Sequence, residues 1–359
     1  MFDPHALAAL THELVRIPSV TGDERAIADV VERRCRDLPG VRVERLGNAL
    51  VTRVGPLDHP AVALVGHLDT VPPWEGHESG IDGTVVVGRG AADMKGGDAA
   101  MLAVLERCAA DGVPLVALFY DREEGPNREN GIHQVLDRSA LLGRPPFAFV
   151  GEPTSGTVHA GCVGVLNADI EFAGRTAHSA RPWEGENAVL AAVPFLDRLR
   201  AQTERAVTVE GLEFFDTLSV TAAHGGIARN VVPDRFTVCL NARFAPGREA
   251  ALVRAEIEGL VGEVGSVVWL DESPPAMPAL GDPTLRAFLS LTGVPVLPKQ
   301  AWTDVATLAA RGIPAVNYGP GEPSQAHQRG EWVDGEAVAD VAGNLMRFLA
   351  EQASAGATL

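Results

Sequence analysis

The sequence predicts an α/β protein into which a smaller α+β domain is inserted. Over roughly the first 150 residues, amphipathic stretches alternate with short apolar runs, a pattern typical of a sheet covered by helices on both faces. After about residue 165, apolar and polar residues alternate strictly, as in strands with one solvated face. From about Pro278 the first pattern returns. We therefore expect one domain of residues 1–165 and 278–359, interrupted by a second of residues 166–277.

The first segment contains three predicted helices and three predicted strands. Apolar residues recur at helical spacing in the helices, which span 4–15, 23–38 and 98–110. The strands are short runs that are apolar on both faces, at 61–65, 115–120 and 147–150. Such runs indicate the central strands of a sheet buried between helices.

The inserted segment and the C-terminal segment follow different patterns. Four strands are predicted in the insertion, at 166–172, 218–222, 236–244 and 265–270, with helices at 187–201 and 248–261. The order strand, helix, strand, strand, helix, strand predicts a ferredoxin-like unit. The C-terminal segment adds a helix at 283–292, a strand at 315–317 and a helix at 334–352.

The composition argues against several classes of partner. The 359 residues include 30 Lys and Arg against 47 Asp and Glu, a formal net charge of −17. So acidic a chain repels nucleic acid and anionic lipid, so we expect neither as a partner. The N-terminus lacks the pattern of a secretory signal, and the four scattered cysteines indicate reduced thiols. We expect a cytoplasmic enzyme.

One histidine stands out by its surroundings. His67 ends an apolar strand, and Asp69 follows two residues later on the same face. The Asp69 carboxylate is therefore expected to accept a hydrogen bond from the far ring nitrogen of His67, as happens beside metal-ligating histidines. Seven other histidines lack any such pattern and are expected to be structural or exposed: His5, His12, His59, His77, His133, His159 and His224.

Three further motifs place carboxylates beside turns. Asp93 lies in a glycine-rich loop before a helix; a phosphate-binding loop is the alternative, but the third glycine of that motif is missing. Glu123 and Glu124 follow the strand 115–120, and adjacent carboxylates repel unless a cation lies nearby. Glu152 follows the strand 147–150, and His327 comes after the last predicted strand.

These groups are expected to meet at one edge of the sheet. Ligands of open α/β sheets bind at the carboxyl ends of the strands. Two imidazoles and three carboxylates suit zinc or a related divalent ion. One ion would need three protein ligands and a water, whereas five ligands with one bridging carboxylate suit two ions about 3.5–4 Å apart.

The motifs GHLDTVP, GRGAADMKGG, DREEG, GEPT and AHQ resemble, in this order, those of the M20 family of dinuclear metallohydrolases. The resemblance implies a zinc-peptidase-like catalytic domain and an inserted lid domain that forms a homodimer. It implies two divalent ions, with zinc expected and cobalt the alternative. The implied ligands are His67 and Glu152 for the first ion, Glu124 and His327 for the second, and Asp93 for both.

The same resemblance implies roles outside the ligand set. Asp69 would orient His67, and Glu123 would be the general base that takes a proton from the attacking water. His178 matches the family's lid histidine, which reaches the active site of the neighbouring subunit and there stabilises the oxyanion. A cis peptide bond is implied between Asp93 and Met94.

Four longer stretches are similar to one branch of the family, the succinyl-diaminopimelate desuccinylases. They are residues 160–188, 225–236, 240–246 and 303–327. These enzymes cleave N-succinyl-LL-2,6-diaminopimelate, an acylated amino acid, to succinate and LL-2,6-diaminopimelate, which feeds lysine and cell-wall synthesis. Asn230 and Arg243 match substrate-contacting positions of that branch, and Thr303 lies in a matching loop. Cationic and amide side chains are expected because the substrate carries several carboxylates.

Two departures from that branch leave alternatives open. Residues 161–164 lack an arginine that the enterobacterial enzymes have, and residues 301–304 read Ala-Trp-Thr-Asp in place of Gly-Thr-Ser-Asp. Arg175 and Arg181 are candidates for the missing charge. Another M20 deacylase, such as an acetylornithine deacetylase, or a metallocarboxypeptidase remains an alternative. A third hypothesis is a metal-bearing protein that has lost catalysis, and the intact Glu123 argues against it.

Overall fold

The computed structural model describes residues 1–76 and 78–356, and it divides the chain into two compact units. Unit 1 comprises Met1–Ala160, Ala279–Leu297 and Thr307–Leu359, and unit 2 comprises Gly161–Pro278 and Pro298–Ala306. His77, one of the histidines without a pattern, lies outside the described residues, as do the last three residues of the chain.

The helices of the described chain are α1 (Pro4–Val15), α2 (Arg25–Arg36), α3 (Gly96–Asp111), α4 (Gly131–Arg138), α5 (Ala188–Ala191), α6 (Val193–Arg200), α7 (Ala250–Val261), α8 (Pro283–Thr292), α9 (Val305–Ala310) and α10 (Gly335–Gly356). Among these described helices, none is long and apolar enough to cross a lipid bilayer.

The strands of the described chain are β1 (Arg42–Leu46), β2 (Ala49–Val54), β3 (Ala63–His67), β4 (Gly80–Asp82), β5 (Val85–Val87), β6 (Leu115–Tyr120), β7 (Ala148–Val150), β8 (Val158–Ala160), β9 (Gly164–Ala173), β10 (Arg205–Val209), β11 (Leu212–Gly225), β12 (Arg235–Phe244), β13 (Ser266–Ser273), β14 (Val296–Pro298), β15 (Ala315–Asn317) and β16 (Trp332–Asp334).

Unit 1 is built on an eight-stranded mixed sheet. Its order is β1-β2-β6-β3-β7-β15-β8-β14, and the four neighbours β6, β3, β7 and β15 run parallel. Every residue of β3, β6 and β7 is buried, so both faces of the sheet centre are covered. The helices α1, α3 and α10 pack against one another, and α2 and α4 contact β2. This is the α/β class expected from the apolar runs.

Unit 2 is an antiparallel sheet carrying helices. Its order is β10-β11-β12-β9-β13, and α5 and α6 come between β9 and β10, while α7 comes between β12 and β13. Without β10, this is the strand-helix-strand-strand-helix-strand arrangement predicted from the sequence. Alternate residues of β9 and β12 are buried against the helices, and the core includes Phe172, Phe195, Leu240, Phe244 and Ile257.

Several elements differ from the predictions. The predicted helix 187–201 is two helices, α5 and α6, separated at Ala192, because Pro194 has no backbone N–H to continue the first helix. The structure also groups Pro298–Ala306 with unit 2, whereas the sequence analysis placed it in the α/β domain. The Gln300 side chain exchanges hydrogen bonds with the Phe215 backbone, and Trp302 Nε1 donates to the Pro274 carbonyl at 3.1 Å. Such loop contacts leave no periodic pattern in a sequence.

Candidate metal centre

The carboxyl ends of adjacent parallel strands of unit 1 bring distant polar residues together. His67 is the last residue of β3, Glu123 and Glu124 follow β6, and Glu152 follows β7. His327 lies in the long connection after β15. Asp93 is the exception, because it follows β5 of a separate small sheet and lies in an irregular turn, Ala91–Lys95, before α3. The motifs that the sequence analysis selected therefore meet at the predicted edge.

The first group of converging side chains is His67, Asp93 and Glu152, whose ligand atoms all lie within 4.8 Å of one another. His67 Nε2 is 3.3 Å from Asp93 Oδ1 and 3.6 Å from Glu152 Oε1. His67 and Glu152 are buried, and the Asp93 side chain is only 11 % exposed. The donor set of one imidazole and two carboxylates suits a divalent ion such as zinc.

The second group is Asp93, Glu124 and His327, again with ligand atoms within 4.8 Å. His327 Nε2 is 2.9 Å from Glu124 Oε1 and 3.6 Å from Asp93 Oδ2. Asp93 thus presents one carboxylate oxygen to each group. A carboxylate shared in this way can bridge two cations, so the arrangement fits a pair of ions better than a single ion.

Asp69 contributes to the site by a route that differs from the prediction. The acceptor nearest to His67 Nδ1 is the backbone carbonyl of Asp69, at 3.0 Å, whereas a carboxylate oxygen of Asp69 is at 3.6 Å. That carboxylate instead accepts hydrogen bonds from the backbone N–H groups of Glu123 at 2.9 Å and Glu124 at 3.1 Å, and from the Thr21 hydroxyl. Asp69 therefore orients His67 through its backbone and the acidic pair through its side chain.

The carboxylates of the cluster favour the protonated, positively charged form of its two histidines. Burial lowers the pKa of His67, but the hydrogen bond to Asp93 and the charges of Glu123 and Asp69 outweigh it, so its pKa is well above the usual value. The hydrogen bond to Glu124 likewise raises the pKa of His327. Crowded carboxylates that draw protons onto their histidines will also attract a divalent cation.

The peptide bond between Asp93 and Met94 is cis, which confirms the expectation from the family resemblance. The sequence analysis missed Glu331, a fully buried carboxylate whose oxygens accept hydrogen bonds from the loop that carries Asp93. Glu331 is separated from that loop by more than 230 positions and stands in no recognisable motif, so only the fold reveals it.

The remaining predicted residues belong to unit 2. His178 is exposed, its Nδ1 accepts a hydrogen bond from the Ala180 N–H at 3.0 Å, and the next residue, Ser179, donates to the carbonyl of Asn230 at 2.9 Å. His178 and Asn230 therefore lie on neighbouring loops. Arg243 lies on β12, half-buried, with Nε donating to the side chain of Asn241 at 2.9 Å.

Thr303 is only 2 % exposed, so its hydroxyl is not presented to solvent as the predicted substrate contact would require. Its carbonyl accepts a hydrogen bond from the Cys162 thiol at 3.8 Å. The role predicted for Thr303 stays a prediction.

A model of Peptidase family M20/M25/M40 matches residues 63–351, a range that contains all five predicted metal ligands. The chain belongs to this family. It is 37 % identical over 342 residues to an M20 relative of Mycobacterium tuberculosis that is provisionally named succinyl-diaminopimelate desuccinylase DapE, covering 95 % of this chain and 97 % of the relative. It is 35 % identical over 354 residues to the succinyl-diaminopimelate desuccinylase of Corynebacterium glutamicum, covering 95 % of each.

Solved structures of peptidases share the fold at low identity. A tripeptidase of Staphylococcus aureus superposes with a TM-score of 0.78 at 20 % identity, covering 97 % of this chain and 98 % of the other. A dinuclear metal-binding M20 peptidase of Bacillus subtilis superposes with a TM-score of 0.73 at 15 % identity, covering 98 % of each chain. The M20 fold, the family match and the two ligand groups identify the chain as a metal-dependent amide hydrolase.

Proposed function

We propose that the protein removes the succinyl group from N-succinyl-LL-2,6-diaminopimelate, giving succinate and LL-2,6-diaminopimelate. The observation that carries the proposal is the similarity to desuccinylases of 37 % and 35 % identity over 95 % of the chain. Asp93 belongs to both ligand groups, and a pair of divalent ions held by these groups would promote amide hydrolysis. Such a biosynthetic role also supports a cytoplasmic location.

The proposed cofactors are two divalent ions, zinc with cobalt as the alternative. His67, Asp93 and Glu152 would hold the first, and Asp93, Glu124 and His327 the second. The donor set fits, because imidazole and carboxylate ligands are those that zinc takes in catalytic sites. When bound, such ions polarise the substrate carbonyl and lower the pKa of water.

Glu123 is the proposed general base. It takes a proton from the water whose oxygen attacks the amide carbonyl carbon, and it delivers that proton to the amine nitrogen as the carbon–nitrogen bond breaks. The proton balance closes, since the products are a carboxylic acid and an amine. The backbone of Glu123 is held by Asp69 at 2.9 Å, which restricts where its carboxylate can lie.

His178 is the proposed donor to the oxyanion. Its Nδ1 accepts the N–H of Ala180, so a neutral ring carries its proton on Nε2, which is left to donate. By the family resemblance this ring would act at the active site of a second copy, and the protein would be a homodimer through the inserted domain.

Arg243 and Asn230 are proposed to bind substrate carboxylates. The Arg243 Nε is used by Asn241, and its two Nη groups make no hydrogen bond within the described part of the chain, so they can bind a carboxylate in a bidentate manner. Thr303 is proposed as a third contact that a local rearrangement would have to expose.

The test is hydrolysis by the purified zinc-loaded protein of N-succinyl-LL-diaminopimelate and of N-acetylornithine in parallel. Fast, chelator-sensitive cleavage of the succinyl compound alone supports the proposal. Cleavage of the acetyl compound alone would keep the metal site and reject the substrate, and the departures at 161–164 and 301–304 would then account for the change of acyl group. If neither compound is cleaved, both deacylase assignments are rejected, and peptides are the next substrates to test.

A further inference from the structure

The carboxylate of Glu331 is fully buried and surrounded by hydrogen-bond donors. Its Oε1 accepts from the backbone N–H groups of Ala92 and Asp93, each at 3.0 Å. Its Oε2 accepts from the Gly90 N–H at 3.0 Å and from Arg89 Nη1 at 2.8 Å. All four donors belong to one short loop, and that loop ends at the residue shared by both ligand groups.

This loop satisfies only part of its backbone by its own hydrogen bonds, such as the one from the Ala91 N–H to the Gly88 carbonyl at 3.0 Å. Gly90 has a left-handed backbone with φ of 81°, and Asp93 and Met94 have non-helical dihedral angles within the turn. The N–H groups of Gly90, Ala92 and Asp93 would therefore be unsatisfied in a buried setting without an external acceptor. The Glu331 carboxylate supplies that acceptor, in the way that a concave set of backbone N–H groups binds an anion.

We propose that Glu331 is a positioning residue that fixes the Asp93 carboxylate between the two groups of metal ligands. The inference rests on the proposed metal centre. Because the Asp93 N–H is bonded to Glu331, the backbone from which the Asp93 side chain projects has little freedom to rotate. The two oxygens of Asp93 are then held toward His67 and His327, at 3.3 and 3.6 Å from their Nε2 atoms.

A purely structural role makes a different prediction from a positioning role. If Glu331 only stabilised the loop, its loss would lower the unfolding temperature but leave the metal affinity of the folded protein intact. If it positions Asp93, both metal sites are affected together, because Asp93 is common to them.

The experiment uses Glu331→Gln, which keeps the side-chain volume but replaces one acceptor oxygen with an NH₂ group that cannot accept. The expected result is a loss of zinc affinity of about 10- to 100-fold, the range typical for groups that orient metal ligands. It is measured by competition with a chelator on protein shown to be folded by near-ultraviolet circular dichroism. The absorption spectrum of the cobalt-substituted protein should also shift, since the coordination geometry changes. Glu322→Gln is the control, because it makes the same change on an exposed side chain of the same connecting segment.

A folded Glu331→Gln variant with the zinc affinity and cobalt spectrum of the wild type would overturn the proposal. If that variant does not fold, Glu331→Asp, which keeps the charge but withdraws it by one methylene, is measured in the same way and judged by the same criterion. Neither readout involves the substrate, so inactivity of the wild type on the succinyl compound would reject the proposed function without deciding this inference.

Discussion

At the scale of single residues, the proposed function gives different tasks to the adjacent carboxylates Glu123 and Glu124. Glu124 Oε1 is 2.9 Å from His327 Nε2 and belongs to the group that contains Asp93. Glu123 forms a separate group with His67 and Glu124, whose ligand atoms also lie within 4.8 Å of one another. Among the described residues, Asp93 is not part of that group. Asp69 holds the backbone of both. Under the proposed function, Glu124 is the metal ligand of this pair and Glu123 the residue that transfers the proton.

Replacing Glu123 by Ala should lower kcat at least about 100-fold, because a positioned general base contributes that much or more. The zinc content should remain nearly unchanged, as measured by atomic absorption beside the hydrolysis assay. Glu129→Ala is the matched control, since Glu129 carries a half-exposed carboxylate on the same connection, paired with Arg122. Substantial activity in the Glu123→Ala variant would mean that another group is the base.

Asp98 is a buried carboxyl group behind the candidate centre. It makes no hydrogen bond to the described part of the chain, and a side chain at Gly66, next to His67, would overlap it. Burial raises the pKa of Asp98 to about 8, although the charges of His67 and Lys95 oppose the shift. The folded state therefore binds a proton that the unfolded state releases near pH 4, the ordinary range of Asp.

This pKa difference predicts that the metal-free protein loses stability as the pH rises from about 4 to about 8, at up to about 1.4 kcal/mol per pH unit. The sign follows because the unfolded chain binds fewer protons in that window. Asp98→Asn should flatten the dependence, which urea unfolding at pH 5 and pH 7.5 would measure. Asp82→Asn controls for the same chemical change on an exposed residue. A steep pH dependence that persists in Asp98→Asn would show that other groups cause it.

At the scale of elements, the approach of α3 to the end of β7 depends on a glycine. A methyl group on Gly97, in the first turn of α3, would overlap the carbonyl oxygen of Gly151, directly before Glu152. Gly259 of α7 is the opposite case, since a methyl group there would meet nothing within 4 Å. The same substitution is thus expected to have opposite effects in the two helices.

Gly97→Ala should lower the free energy of unfolding by about 1–3 kcal/mol, because backbone atoms have to move to accommodate the methyl group. It should also weaken zinc binding, since Glu152 adjoins the displaced carbonyl. Gly259→Ala should raise the free energy of unfolding by about 0.5–1 kcal/mol, because alanine loses less backbone entropy on entering a helix. Urea unfolding of both variants measures the contrast, and equal shifts of the same sign would contradict the packing argument.

The sequence predicts elements well where periodicity and burial agree. The run Leu115–Tyr120 matches β6 end to end because all its residues are apolar and buried. β2 was missed because it contains Arg53, which is only 2 % exposed. The Arg53 guanidinium is buried by donating to backbone carbonyls of the following turn and of Leu141 and Leu142. Such compensation depends on partners far along the chain, so no local pattern reveals it.

At the scale of the whole molecule, the candidate site could be predicted because its residues follow strands that become neighbours. His67 ends β3, and Glu124 and Glu152 follow β6 and β7; these three strands lie side by side. Each carries a local signal, a polar residue at the end of an apolar run. Glu331 carries none, and the hydrogen bonds that give it meaning exist only after the C-terminal segment has folded against the loop before α3. For the same reason, the sequence did not predict that Pro298–Ala306 belongs to unit 2, because this assignment depends on loop contacts that leave no periodic pattern.

The role expected of His178 can be tested only on the assembled protein. It lies in unit 2, exposed, and the family resemblance assigns it to the active site of a second copy. Sedimentation should therefore give a species of about twice the 37.8 kDa chain mass, as in a two-fold dimer. His178→Ala and Glu123→Ala should each be inactive alone.

Mixing these two variants under conditions of subunit exchange distinguishes action within one copy from action between copies. In a hybrid dimer, one site would combine an intact Glu123 from one chain with an intact His178 from the other, and the second site would lack both. Random exchange should then restore about a quarter of the wild-type activity, because half of the dimers are hybrids with one working site each. If His178 acts on its own copy, every site in the mixture lacks one of the two residues and no activity returns. A recovered quarter would establish that the inserted domain completes the active site of its partner, whereas a protein that sediments as a monomer and still turns over substrate would exclude that role.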